Sequence, residues 1–124
     1  MLEIIFYPLN NQTPCSIELA SDFLRWLAQS DFMEIGAERP TEIEIDGENV
    51  TLELVKLGEG NNSNRKRLRD FLLEAIAQES DAVLNQLNNA AAKQEYQAIT
   101  YKLRKLQQLR KCVENETYQY LQRL

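Results

Sequence analysis

The sequence predicts a mixed α+β fold: a small mixed or antiparallel sheet in the order β-α-β-β, covered by one helix and followed by a long antiparallel helical hairpin. Three observations predict it. Leu2 to Tyr7 is apolar apart from Glu3, Thr41 to Lys56 alternates apolar with polar residues around Asp46-Gly47, and Arg65 to Leu121 carries two successive apolar stripes at helical spacing. A chain of 124 residues, 44% apolar and 27% charged with only four glycines, has the size and composition that fold around one core.

The first segment, rich in isoleucine and aromatics, suits a strand buried on both faces and central in the sheet, with Pro8 closing it. Thr13-Pro14 supplies an N-cap followed by proline at the first helical position. A helix is therefore expected from there to about Ser30, with Ile17, Ala20, Phe23, Leu24, Leu27 and Ala28 on one face. The stretch from Asp31 to Pro40 shows no period and reads as a connection.

The hairpin is the clearest local signal. Ile43, Ile45, Val50, Leu52 and Leu54 alternate with polar residues, and Asp46-Gly47 suits a type I′ turn, whose two central residues both need positive φ. After it, Gly58 to Asn64 has no apolar residue to bury and reads as a mobile joint. This joint divides one domain into a sheet part, residues 1–60, and a helical part, residues 61–124.

In the helical part, Leu68, Phe71, Leu72, Ala75, Ile76, Ala82, Val83 and Leu87 make the first stripe, ending near Asn88. From about Ala91 to Leu121, Tyr96, Ile99, Leu103, Leu106, Leu109, Val113, Tyr120 and Leu121 make the second, with Ile99, Leu106, Val113 and Tyr120 at seven-residue steps. A short break near Asn89 to Ala91 predicts that the two fold back on each other. A helix of about 30 residues would reach ~45 Å, longer than so small a core needs, so part of it should project and offer an assembly surface.

Composition excludes several functions. There is no histidine, which removes Ser-His-Asp and Cys-His nucleophile activation and the common zinc sites. The glycine pair Gly58 and Gly60 lacks the rest of a phosphate-binding loop. No cofactor, metal or catalytic residue is expected. The N-terminus lacks the basic and long apolar regions of a signal peptide, and no apolar run approaches the ~18 residues of a membrane span, so a cytoplasmic protein without membrane contact is expected. Cys15 and Cys112 lie far apart without metal or redox spacing, and a disulfide is not the expectation where no export signal is seen.

Net charge is −5, unevenly spread. Residues Met1 to Gly60 carry twelve Asp/Glu against three Lys/Arg, while Asn61 to Leu124 carry seven against eleven, so the halves attract each other or a second copy. Glu42, Glu44 and Glu53 form an acidic hairpin face, without the Asp/Asn-rich spacing of a cation-binding loop.

Within the hairpin, Glu79 stands in the first apolar stripe, where an unpaired carboxylate would be costly, and the antiparallel register sets it opposite Lys102 as a seam ion pair. Arg110 stands inside the second stripe and needs a partner. With Leu106, Leu109, Val113 and Tyr120 it makes the expected interface, holding a second copy in a homodimer or another protein. The alternative is a small nucleic-acid-associated regulator. Its arm would be Arg65, Lys66, Arg67 and Arg69, which open a helix where basic residues oppose the helix dipole.

Overall fold

The computed structural model describes residues 2–9, 12–87 and 93–123. Five strands, β1 (Leu2–Pro8), β2 (Cys15–Leu19), β3 (Glu38–Ile45), β4 (Glu48–Lys56) and β5 (Tyr118–Gln122), form one antiparallel sheet in the order β2-β1-β5-β4-β3. Three α-helices accompany them: α1 (Ser21–Ala28), α2 (Asn64–Leu87) and α3 (Lys93–Glu114), with a single 3₁₀ turn at Asp31–Met33. The fold is mixed α+β with a long helix pair, α2 and α3, and β1 is flanked on both sides as its apolar run requires. No helix among the described residues is long and apolar enough to cross a membrane.

Two expected helical stretches are strands instead. Residues 15–19, read as the start of a helix capped by Thr13-Pro14, pair with β1 so that Phe6 faces Cys15 and Leu2 faces Leu19. The cause is a period of two: Ile17 and Leu19 are buried while Ser16 and Glu18 are exposed. The helix that follows has Ala20 at its N-cap and no side-chain cap, and it buries Phe23 and Leu27.

The second correction is at the far end. The helix expected to run to Leu121 stops at Glu114. Asn115 turns the chain, its side chain accepting from Thr117 N at 3.0 Å and its carbonyl from Tyr118 N at 3.1 Å. The two tyrosines then favour an extended strand, which enters between β1 and β4, with Leu121 opposite both Phe6 and Val55. The register shifts between Tyr7 and Pro8, and Tyr118 packs on Phe6 with ring centroids 6.1 Å apart. A division at residue 60 thus leaves four strands and α1 on one side and the long helix pair on the other, with β5 completing the sheet from the side of the helix pair.

The β3-β4 turn has Asp46 at φ 52° and Gly47 at φ 83°, the pair of left-handed residues that a type I′ hairpin needs. Gly36 is required for space as well as for φ of 82°, since a Cβ there would sit 2.7 Å from Val55 Cγ1. The 58–64 joint forms a defined turn: Gly58 and Gly60 take positive φ, and Ser63 Oγ caps α2 by accepting from Lys66 N at 3.1 Å.

The core lies between one face of the sheet and the helices. Ile4, Phe6, Val55 and Leu121 from the sheet meet Leu27, Leu68, Leu72, Leu106, Leu109 and Val113 from the helices, all completely buried. Phe32, from the 3₁₀ turn, closes the core beside Phe71.

Candidate interaction surface

The helix pair has two unlike halves. Near the sheet, Leu68, Leu72 and Ala75 of α2 and Leu106, Leu109, Cys112 and Val113 of α3 are buried in the common core. Beyond it, among residues 77–87 and 95–99, only Val83 is buried. At 24 residues α2 is about 36 Å long, and its outer half runs past the core with α3 as its one helical neighbour. Three of the exposed large apolar side chains stand on this pair: Leu73 at 42% exposure, Leu84 at 62% and Tyr96 at 52%. Leu73, Ala77, Ser80 and Leu84 follow each other at steps of four, three and four, and so share one stripe of α2 facing away from the sheet core.

This surface differs from the one expected. Leu106, Leu109 and Val113 are wholly buried inside the chain's own core, and Tyr120 is on β5, paired with Tyr7 and Lys56. None of these four is a helical interface residue. Arg110 needs no outside partner, because its Nε donates to Gln107 at 2.9 Å and its Nη1 pairs with Glu114 at 3.2 Å, both on its own helix.

Glu79 and Lys102 are brought together across the helix pair, Oε2 to Nζ 3.6 Å, and Lys102 Nζ also lies 3.7 Å from the centre of the Trp26 ring. The ammonium thereby joins α1, α2 and α3 at the level where the core ends. The expected turn near Asn89 to Ala91 lies outside the described residues. Arrival of the helices from opposite ends is nonetheless fixed by this pair and by Arg65 meeting the last turn of α3.

The basic run is broken up by its surroundings. Arg65 is buried and donates four hydrogen bonds to main-chain carbonyls: Nε to Gly58, Nη1 to Val113 at 2.6 Å and Asn115 at 3.0 Å, and Nη2 to Tyr118 at 2.5 Å. Burial lowers its pKa, while Glu59 and Glu116 pull it back up. It therefore caps the negative end of α3 and fastens the turn into β5. Lys66 donates to Asp70 at 2.6 Å and holds that carboxyl below its usual range, and Arg67 reaches Asn64 at 3.5 Å. Lys66 and Arg69 share a cleft of about 490 Å³ with Glu59, Glu114 and Glu116, a mixed lining ill suited to phosphate.

Features without a local sequence signal complete the picture. Arg123 mirrors Arg65: it is buried, with Nη1 donating to Phe32 and Ile35 carbonyls at 2.6 and 2.8 Å, Nη2 to Gly36 at 3.1 Å, and Nε to Glu38 at 3.3 Å. Its burial would have been hard to foresee, since its acceptors are about 90 residues away. Glu42, Glu44 and Glu53 are exposed, and among the described residues no group of three or more His, Cys, Asp or Glu is placed to hold a metal ion.

Cys15 and Cys112 touch, Sγ to Sγ 3.2 Å, joining the first residue of β2 to the last turn of α3. Burial and the neighbouring Cys15 sulfur raise the Cys112 thiol from its ordinary 9.0 to about 12. Because the folded pKa lies above the unfolded one, the contribution is complete below about pH 9 and is lost as pH rises towards 12. Tyr7 and Tyr118, raised mainly by burial, act in the same direction. Urea midpoints of the reduced protein should therefore fall above pH 9, and fall less steeply in Cys112→Ala; parallel curves for the two proteins would refute the assignment to this thiol.

Comparison of the chain with models of protein families, with curated proteins and with solved structures finds no match.

Proposed function

We propose that this chain is a non-enzymatic assembly module whose docking surface is the outer half of the helix pair, and that its partner is a second copy of itself. One observation carries the reading: a single stripe of α2 bears Leu73, at the edge of the core, and Leu84, on the projecting part, both exposed, with small residues Ala77 and Ser80 between them that let another helix approach closely.

Charge along α2 argues for a second copy as the occupant. Arg67 and Arg69 lie in its first turns and Glu74 and Asp81 farther out, none of them buried, so two α2 helices laid antiparallel about a two-fold axis set base against acid at both ends. A nucleic-acid arm ranks below this reading because Arg65 is committed to carbonyls and Lys66 to Asp70.

The test is mass in solution by light scattering across a concentration series. The wild type should reach twice the chain mass, and Leu73→Asp with Leu84→Asp should return it to one. Neither side chain supports the monomer's core, so at concentrations low enough that the wild type is also monomeric the thermal midpoint of the double variant should shift by no more than a few degrees, corresponding to about 0.5 kcal/mol per exposed site. A wild type that stays monomeric at its highest soluble concentration sinks the proposal, as does a variant that still dimerises.

A further inference from the structure

The contact between Cys15 and Cys112 is the feature that neither the fold nor the assembly surface requires. The two residues are 97 positions apart, on an edge strand and on the last turn of a helix, yet their sulfurs are 3.2 Å from one another. A disulfide bond is about 2.05 Å long, so roughly 1 Å of closure, within the range of small side-chain adjustments, makes the bond. Access is unequal: Cys15 is partly exposed, while Cys112 is 9% exposed and lies beneath it. Tyr118 packs against the same core and lies close to both sulfurs.

We infer that Cys15 and Cys112 are a reversible modification site, closed to an intramolecular disulfide by a low-molecular-weight disulfide such as oxidised glutathione. Cys15, the exposed thiol, loses its proton to solvent and attacks one sulfur of the oxidant. The oxidant's S–S bond breaks, and half of it leaves as a thiolate that takes up a proton. Cys112 then loses its proton and attacks Cys15 Sγ, expelling the second half, which is protonated in turn. The oxidant gains two electrons and two protons and becomes two thiols, while the protein loses two hydrogens and gains one S–S bond.

Burial of Cys112 next to the more accessible Cys15 makes it the resolving thiol, and its raised pKa makes closure faster in alkali. The bond would tie β2 to the end of α3, beside the turn that Arg65 fastens. Because its ends are 97 positions apart, it restricts the unfolded state strongly.

The experiment treats the reduced wild type with oxidised glutathione and follows intact mass, with a thiol-reactive maleimide added after unfolding. The expected product is a single chain lighter by two hydrogens, resistant to maleimide, and melting about 10 °C or more above the reduced form. Dithiothreitol should restore both thiols and the lower melting point. Cys112→Ser should stop at one glutathione adduct on Cys15, and Cys15→Ser should take none while folded. Two glutathione adducts on the wild type, a covalent dimer, or two thiols still free after the treatment would each overturn the inference. The wild-type mass decides the matter even if either variant fails to fold.

Discussion

Arg65→Ala should destabilise the protein by about 2–3 kcal/mol, a large share of the ~5–15 kcal/mol that holds a domain of this size together. The guanidinium spans the carbonyls of Gly58, Val113, Asn115 and Tyr118, and removing it leaves the buried Val113 carbonyl without this donor and the part-buried other three to water. Arg65→Lys should recover only part of the loss, because one ammonium cannot match a planar fork that serves four acceptors. Urea denaturation gives the number. Lys66→Ala and Arg67→Ala, on exposed or half-exposed neighbours, should each stay within about 0.5 kcal/mol of wild type. Equal, small effects at all three positions would show that Arg65 is an ordinary surface cation.

Leu106→Ala should cost about 2–5 kcal/mol, and the cost should not depend on protein concentration. Leu106 has no exposed surface and belongs to the single core cluster built from the sheet and helices of the same chain, so truncation opens a cavity inside the monomer. A difference from wild type that changes with concentration would instead place Leu106 between copies. The contrast with Leu84, 62% exposed on the outer half of α2, separates core from surface on the same helix pair.

Legibility in the sequence followed the range of the interactions. β1, the β3-β4 hairpin and α2 were readable because their signals are local: a β-branched and aromatic run, an Asp-Gly turn between alternating residues, and a stripe at helical spacing. β2 and β5 were not, because short apolar patterns fit both periods. Ile17 fits a helix face with Ala20, Phe23, Leu24 and Leu27 as well as a strand face with Leu19, and Tyr120 continued the seven-residue series of Ile99, Leu106 and Val113 by coincidence. The missed cue at the second boundary was Asn115, a turn residue at the end of a helical stripe.

At the surface the same distinction holds. The juxtaposition of Glu79 and Lys102 could be argued from the register of two antiparallel helices, since both belong to regular elements. The roles of Arg65 and Arg123 could not, because their acceptors are carbonyls that gather only once β5 and the 3₁₀ turn are in place. Reading Leu106, Leu109 and Val113 as an interface had a related cause: an amphipathic stripe states that a face is buried, without stating against what.

The position of β5 also governs the order of events during folding. The β1-β2 pair and the β3-β4 pair share no hydrogen-bonded edge, and the strand that unites them is the last of the five to leave the ribosome. Until it arrives, each hairpin presents an unsatisfied inner edge, and the helix pair has only half a sheet to pack on. Productive folding therefore waits on contacts of very long sequence separation, which slows it and lengthens the time during which those edges are open to other chains.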